Sequence, residues 1–176
     1  FIKSNKKLSI VFDNGKIIFN NSIGDITALD ANKGFLIWQT PTQNNQIYAE
    51  TISLRASSLV VDKNFILFSN NKNEFYSLDK NDGFINWKQT INSDTKPLVS
   101  GELIFSVSNE GLLFIIDLKN GNIIKTQDLF TNYSDKKRIS VKPIGISSGV
   151  NKIFITLSNG RLLVVDLKTG NVIKNI

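Results

Sequence analysis

The sequence predicts an all-β protein, a β-propeller made of about four four-stranded antiparallel blades. Three observations lead to this fold class. One hairpin pattern occurs four times along the 176 residues, its period of about 40–50 residues is that of a propeller blade, and no segment has the spacing of a long amphipathic helix. A β-sandwich would explain the spacing of the turns but not the fourfold recurrence of the same hairpin.

The repeated hairpin contains an Asp followed four residues later by a Gly. The copies are "GDITALDANKGFLIW" from Gly24, "NEFYSLDKNDGFINW" from Asn73, "GLLFIIDLKNGNIIK" from Gly111 and "GRLLVVDLKTGNVIK" from Gly160. An Asp at the start of a turn accepts hydrogen bonds from the backbone N–H groups ahead of it, and a Gly adopts the positive φ that closes the turn. The pairs are Asp30 and Gly34, Asp79 and Gly83, Asp117 and Gly121, and Asp166 and Gly170.

Two further strands are expected before each hairpin. The nearer and stronger ones are Lys16–Phe19, Phe65–Phe68, Leu103–Val107 and Ile153–Leu157. The weaker ones are Leu8–Phe12, Leu59–Val61, Ile144–Ile146 and a hint of a strand at Leu98–Val99. The prediction is a single partial propeller domain over residues 1–176, with blades at about 8–40, 57–91, 97–129 and 140–176.

The residue eight positions after the Asp differs between the two halves of the chain. It is Trp38 and Trp87 in the first two repeats, and Lys125 and Lys174 in the last two. A Trp there would bury its ring between blades, whereas a Lys would lay its stem along the blade with its ammonium in water. We therefore expect looser packing around the last two blades.

The composition excludes several kinds of catalytic site. The chain has no His and no Cys, so His-based acid–base catalysis, thiolate nucleophiles and the usual zinc sites are absent. The repeated Asp residues are explained by turn formation, and no pair of carboxylates stands out as a hydrolytic site. We predict a protein that is not an enzyme, with no catalytic residue, no metal and no cofactor.

The net charge of +6 does not by itself indicate nucleic-acid binding. The lysines are scattered, and the one tight cluster, Lys136–Arg138, has no interleaved aromatic residues. We expect this cluster to be a solvated basic loop. The longest apolar run, Leu112–Ile116, is far shorter than the roughly 20 residues of a membrane-spanning helix. Because the chain starts at Phe1 and contains no Met, we expect a fragment whose leader or lipid anchor lies elsewhere.

The repeat resembles that of pyrroloquinoline-quinone-type (PQQ-like) propellers over nearly the whole chain. Two loops, "ISLRASS" and "INSDTKP", resemble loops of one family within that group, the B lipoprotein of the bacterial outer-membrane β-barrel assembly machinery. In that family a Leu-x-Leu-Arg loop and an Asp-x-Asp-Thr-x-Pro loop bind the central barrel subunit. The resemblance implies a partner-binding surface formed by Ile52, Leu54, Arg55, Asn92 and Asp94. Ile52 replaces a Leu, and Asn92 replaces an acidic residue and so removes a charge.

The residues themselves leave another interpretation of these loops open. Ile52 and Leu54 could cap the core of a blade while Arg55 pairs with an acid such as Asp94. An Arg with flanking aliphatic residues is also a typical interface anchor, because the aliphatic groups exclude water from the guanidinium. The family resemblance favours the interface.

The resemblance implies a non-enzymatic scaffold at the periplasmic face of the outer membrane. Its partners would be the central barrel subunit, through that subunit's periplasmic domains, and unfolded outer-membrane proteins; no nucleic acid is expected. Two alternatives remain: a fragment of a quinone-dependent dehydrogenase, which would need a Ca²⁺ cluster, and a generic extracellular interaction propeller. If the family ring has eight blades, four repeats make half a ring. This leaves three outcomes: half of a longer chain, two copies that complete one ring, or four blades in a distorted form. We favour a fragment of a longer protein, with head-to-tail self-association of the isolated piece as a hypothesis.

Overall fold

The computed structural model describes residues 9–21, 24–42, 56–70 and 72–176. These residues form four antiparallel sheets of four strands each, in which every strand pairs with its neighbours along the chain. The predicted fold class, an all-β propeller of four-stranded blades, is confirmed. The chain divides into two compact units, Phe1–Asp94 (unit 1) and Thr95–Ile176 (unit 2).

Unit 1 contains blades 1 and 2. Blade 1 consists of β1 (Ile10–Asp13), β2 (Lys16–Asn20), β3 (Ile26–Asp30) and β4 (Leu36–Thr40). Blade 2 consists of β5 (Val60–Asp62), β6 (Phe65–Asn70), β7 (Glu74–Asp79) and β8 (Ile85–Gln89).

Unit 2 contains blades 3 and 4, with a short helix between them. Blade 3 consists of β9 (Leu98–Ser100), β10 (Leu103–Val107), β11 (Leu112–Asp117) and β12 (Ile123–Asp128). The helix α1 (Asp135–Ser140) precedes blade 4, which consists of β13 (Pro143–Gly149), β14 (Lys152–Leu157), β15 (Leu162–Asp166) and β16 (Val172–Asn175).

The Asp-to-Gly turns form as the sequence predicts. In blade 1, Asp30 Oδ1 accepts hydrogen bonds from the backbone N–H groups of Asn32 (2.9 Å) and Lys33 (2.7 Å). The Gly34 N–H donates to the Asp30 carbonyl at 2.9 Å, with a φ of 70°. Asp79, Asp117 and Asp166 repeat this pattern, with a Gly at positive φ four residues later. The turn is therefore a local property of the repeat.

The core of unit 1 lies where two blade faces meet. We call the face of a blade that contacts the next blade its front face, the opposite one its rear face, and the contact a seam. The front face of blade 1 contributes Ile18, Ile26, Ala28 and Trp38, and the rear face of blade 2 contributes Leu59, Ile66, Phe68, Tyr76 and Leu78. The Trp38 indole N–H donates to the Lys80 carbonyl at 3.3 Å, so the ring is held between blades, as predicted.

Gly83 explains why a Trp fits this seam. A Cβ added at Gly83 would lie 2.5 Å from the Trp38 ring, so the ring rests directly on the glycine backbone. Thr40 Oγ1 donates to the Gly83 carbonyl at 2.6 Å beside it. The repeated glycine thus serves both the turn and the seam with the preceding blade. Trp87, in blade 2, is half-buried and stacks on Phe75 with ring centroids 5.6 Å apart.

The seam of unit 2 uses Lys125 in place of a Trp. The Lys125 side chain reaches Gly170 of blade 4, and its ammonium donates to the Thr169 carbonyl. The expected snorkelling of the stem is therefore present.

The expectation of looser packing in the last two blades is wrong for this seam. Phe130, which follows β12, is fully buried, and a Cβ on Gly111 would lie 2.3 Å from its ring. Leu129 and Val141, from the same connection, are also buried in the core that joins blades 3 and 4. The connection between the blades supplies apolar volume that the hairpin does not provide.

Lys136 and Lys137 are exposed, as the sequence indicated, but the basic cluster is helical and not a loop. Lys136–Arg138 lies in α1. The Arg138 guanidinium forms an ion pair with Asp128 (2.7 Å) and donates to the Phe130 carbonyl at 3.2 Å. The Lys137 ammonium lies 5.3 Å from the centroid of the Tyr133 ring. These contacts tie the short helix to β12 and to the buried Phe130.

Candidate partner-binding site

The last residue of β6, Asn70, connects the two loops that resemble the partner-binding motifs. Asn70 forms an antiparallel bridge with Ala56 and a parallel bridge with Asn92. The Ser93 N–H donates to the Asn70 carbonyl at 3.0 Å, and the Ser57 N–H donates to the Ser69 carbonyl at 2.8 Å on the other side. Because bridged strands lie about 4.8 Å apart, Ala56 and Asn92 lie about 10 Å from each other across Asn70.

The Asn70 side chain organises the turn that follows it. Its Oδ1 accepts hydrogen bonds from the N–H groups of Lys72 (2.9 Å) and Glu74 (3.2 Å). Its amide group donates to Glu74 Oε2 at 2.9 Å. Since Asn70 is almost completely buried, these bonds satisfy a polar group that would otherwise be costly to bury. The bridging residue is therefore held rigidly.

The residues on either side of the first motif are both anchored. Thr42 Oγ1 donates to the Gly24 carbonyl at 2.6 Å, and the Thr42 carbonyl accepts a hydrogen bond from the Tyr76 hydroxyl at 2.8 Å. At the other end, Ser57 Oγ accepts a hydrogen bond from the Ser69 N–H at 2.9 Å. Both Thr42 and Ser57 are buried. Thr42 and Ser57 are thus fixed points of unit 1.

A charged pair lies next to Asn70. The Lys88 ammonium is 2.6 Å from Glu74 Oε1 and 4.9 Å from the centroid of the Tyr76 ring. Burial raises the pKa of Tyr76, and the hydrogen bond to Glu74 raises the pKa of Lys88. At neutral pH the hydroxyl of Tyr76 therefore remains a donor to Thr42, and Lys88 remains a cation paired with Glu74.

The second motif lies on an extended connector after β8. Its burial alternates: Ile91 and Ser93 are buried, whereas Asn92 and Asp94 are half-buried. Asn92 takes its position from the bridge to Asn70. The connector therefore holds its two candidate binding residues on the side opposite to its buried ones.

The structure describes two of the five predicted site residues. Asn92 and Asp94 lie on this connector, while Ile52, Leu54 and Arg55 lie outside the described residues. Whether Arg55 pairs with Asp94 therefore stays a prediction. The structure adds that Ala56, which directly follows Arg55 in the sequence, is bridged to the same residue as Asn92.

Sequence reasoning missed Asn70, although a signal was present. The second strand of each blade ends in, or is directly followed by, a polar residue whose side chain accepts a hydrogen bond from a backbone N–H group. Asn20 accepts from the Ser9 N–H at 2.7 Å, and Ser108 accepts from the Leu112 N–H at 3.2 Å. The Asn and Ser residues at the ends of these strands could have indicated side chains that bond to the backbone of neighbouring segments. Which of them joins two loops depends on bridges between distant segments.

The described residues contain neither a cluster of metal ligands nor a membrane-spanning helix. Among residues 9–21, 24–42, 56–70 and 72–176, carboxylates do not gather in a group of three or more that could hold a metal ion. In the same part of the chain, no helix combines the length and the hydropathy needed to cross a lipid bilayer.

The sequence matches one protein family over most of its length. The family profile described as "Outer membrane protein assembly factor BamB", of the PQQ-like type, matches residues 3–127. The chain belongs to this family. Among curated proteins, a sequence search finds no match.

Solved structures of low sequence identity share the fold. BamB from Moraxella catarrhalis superposes with a TM-score of 0.72 at 15% identity, over 97% of this chain and 48% of BamB. The computationally designed Ika4 protein has a TM-score of 0.70 at 12% identity, over 93% of this chain and 92% of Ika4. The Pan2 WD40 domain of Neurospora crassa has a TM-score of 0.67 at 11% identity, over 96% and 48%. This chain thus spans about half the length of BamB.

Proposed function

We propose that this BamB-family chain is a scaffold segment of the outer-membrane barrel assembly machinery and binds the periplasmic domains of its central barrel subunit. The propeller fold and the family support a protein-interaction module. The proposed contact residues are Ile52, Leu54, Arg55, Asn92 and Asp94. The proposal is of a non-enzymatic role at the periplasmic face of the outer membrane, with unfolded outer-membrane proteins as further partners.

One observation carries the proposal. Ala56, at the end of the first motif, and Asn92, in the second, are bridged to the same residue, Asn70. Ala56, which follows Arg55 in the sequence, and Asn92 are therefore fixed to a single residue of unit 1. A surface that binds one partner through two loops needs such a fixed spacing, because each loop held in place in advance loses less conformational entropy on binding.

The chemistry of the motifs indicates what the partner surface presents. A guanidinium flanked by Ile52 and Leu54 suits a carboxylate or a carbonyl set in an apolar surround. Asp94 suits a cation or a backbone N–H. Asn92 stands where the family motif has an acid, so this chain offers one negative charge fewer on the second loop. We therefore propose an amphipathic partner surface with at least one acidic and one basic group.

The decisive experiment reverses the charge of Arg55. Arg55→Glu is expected to abolish binding to the purified periplasmic domains of the barrel subunit, measured by calorimetry, while leaving the thermal unfolding curve unchanged. Arg161→Glu is the matched control, because Arg161 is an exposed arginine directly before β15 in unit 2. Binding that survives Arg55→Glu, or that is lost equally in both variants, would contradict the proposed surface.

Single substitutions test how much each proposed contact residue contributes to binding. Leu54→Ala and Asp94→Ala are each expected to weaken binding by about 1–2 kcal/mol, as at an interface hot spot. Asn92→Asp restores the acid of the family motif and is expected to tighten binding. If Asn92→Asp has no effect while Asp94→Ala does, the first position of the motif does not contact the partner.

A further inference from the structure

The rear face of blade 1 is apolar and partly exposed: Ile10 and Phe12 are exposed, whereas Ile17, Phe19 and Leu29 are half-buried. Pairing across the strands places Phe12 opposite Ile17, and Ile17 opposite Leu29, in one row on this face. Ile10 pairs with Phe19 in the next row. Ile10 and Phe12 are 72% and 71% exposed. Contiguous apolar side chains on a sheet face are usually covered by another element.

Blade 2 shows what covers the same face in this repeat. The equivalents of Ile10, Ile17 and Phe19 are Leu59, Ile66 and Phe68. All three are buried, with exposures of 2% or less, because the front face of blade 1 packs on them. The rear face of blade 1 thus has the apolar composition of a seam but, among the described residues, shows no buried cluster of its own.

The hairpin glycines show the same difference. A Cβ added at Gly83 would lie 2.5 Å from the Trp38 ring, and one at Gly170 would lie 3.6 Å from Ile115 and 3.9 Å from the Lys125 stem, in each case in the preceding blade. Gly34 stands at the same place in blade 1, and a Cβ there would meet no atom of the described residues within 4 Å. Its φ of 70° matches that of the two occupied glycines, 77° and 69°. The glycine turn of blade 1 therefore has the backbone conformation of the other two, but no described residue packs on it.

The front face of blade 4 is the complementary surface. Phe154, Leu162 and Val164 lie on it, since their neighbours Ile153, Leu163 and Val165 point into the seam with blade 3. On β16, Asn175 bonds to Tyr133 of that seam, so Lys174 lies on the front face. Lys174 is exposed and occupies the position of Trp38 and Lys125 in its repeat.

We propose that the front face of blade 4 docks on the rear face of blade 1 of a second copy of this chain, so that two copies associate head to tail. In this seam the Lys174 stem lies over Gly34 and its ammonium donates to the Lys33 carbonyl. This repeats the contact of Lys125 with Gly170 and Thr169. The occupant is a second copy because the surface required is the front face of this same repeat, with a long side chain at that position.

Three related folds are about twice as long as this chain, whereas the designed Ika4 protein has about its length. This chain spans 48% each of BamB, of the designed Ika8 protein and of the Pan2 domain. Two copies therefore supply the number of blades found in a fold of about twice this length. A head-to-tail contact that closes after two copies leaves no free seam, whereas one that does not close produces open assemblies. The proposal does not depend on the assembly-machinery function proposed above.

Light scattering coupled to gel filtration at micromolar concentrations tests the association. The wild-type chain is expected at twice its monomer mass of 19.7 kDa. Phe12→Asp is expected to return the mass to 19.7 kDa, because it places a carboxylate in the apolar seam. Phe84→Asp is the matched control, since Phe84 is 74% exposed but lies outside the proposed contact. A wild-type mass of one chain at every concentration would overturn the proposal, as would equal loss in both variants.

Crosslinking tests the register of the contact. The chain has no Cys, so a thiol crosslink can form only between the introduced cysteines. A mixture of Lys174→Cys and Lys33→Cys proteins, treated with a short bismaleimide, is expected to give a crosslinked pair. A mixture of Lys174→Cys and Lys119→Cys is not, because Lys119 is an exposed residue of the corresponding turn in blade 3. Crosslinking that is equal in the two mixtures would exclude the proposed seam.

Discussion

The seams of unit 1 and unit 2 have different residues at the same position of the repeat. In unit 1, Trp38 lies on Gly83 and donates to the Lys80 carbonyl. In unit 2, Lys125 reaches Gly170 and donates to the Thr169 carbonyl. Both bond to a backbone oxygen of the next blade. The geometry of the seam is therefore conserved within the chain, while the apolar volume comes from elsewhere in unit 2.

The segments that join the blades explain this difference. Between repeated Asp residues, both units have a spacing of 49, against 38 between Asp79 and Asp117. In unit 2 the additional residues place Phe130 and Val141 in the core. In unit 1 the flanks of the corresponding segment are tied to Tyr76 and Asn70 at its two ends. A segment of the same size thus adds to the core in unit 2, whereas in unit 1 the described residues that flank it bond to blade 2.

Truncating the Trp of unit 1 is expected to have the largest effect. Trp38→Ala removes a buried ring and leaves a cavity over Gly83, so the free energy of unfolding should fall by about 3–5 kcal/mol. Urea denaturation followed by circular dichroism measures the change. A loss below about 1 kcal/mol would mean that the ring does not contribute to the seam as the structure indicates.

Substituting the two seam glycines separates backbone strain from steric contact. Gly83→Ala and Gly170→Ala share the strain of a positive φ, roughly 1–2 kcal/mol. A Cβ at Gly83 would also meet the Trp38 ring at 2.5 Å, whereas at Gly170 the nearest atom is 3.6 Å away. Gly83→Ala should therefore be more destabilising, by about 1–3 kcal/mol of overpacking. Equal losses in urea denaturation would contradict the difference between the seams.

Truncating the Lys of unit 2 is expected to have a small effect. Lys125→Ala removes the packing of a half-buried stem and one hydrogen bond to the Thr169 carbonyl, which together contribute about 0.5–1.5 kcal/mol. Thermal unfolding measures this loss. The control is Lys119→Ala, an exposed Lys of the same blade, which should leave the midpoint unchanged. A loss as large as that for Trp38→Ala would mean that the two seams are equivalent after all.

The smallest expected effect concerns the turn of blade 4. Hydrogen bonds from the Thr169 N–H and hydroxyl lower the pKa of Asp166. Because the pKa is lower in the folded chain, the contribution of Asp166 to stability is present above its ordinary pKa and is lost as the pH falls through the folded value. Thr169→Val removes the hydroxyl and should raise the pKa of Asp166, as measured by NMR titration. An unchanged pKa would assign the shift to the backbone bonds alone.

The hairpins could be predicted because their chemistry is local. Asp30 and Gly34 lie within one turn, and the hydrogen bonds that form it join residues two to four positions apart. The helix α1 could not be predicted in the same way. Its Arg138 bonds to Asp128 and Phe130, so its position depends on groups eight to ten residues away and on a ring buried in the core.

The candidate site shows a similar division. Asn92 and Asp94 were identified by the resemblance of their loop to a family motif, which is a pattern in the sequence. Asn70 was not, because its role consists of bridges to Ala56 and Asn92, 14 and 22 residues away in the chain. No local rule states which strand end will meet which loop.

The sequence alone determined the number and type of blades, since alternating apolar strands and Asp-to-Gly turns depend on neighbouring residues. Only the tertiary structure decided which faces are covered. Ile66 is buried and Phe12 is exposed, although both lie on rear faces of the same repeat. Burial depends on whether another blade packs on a surface, and that contact is made by residues far away in the chain or in a second molecule.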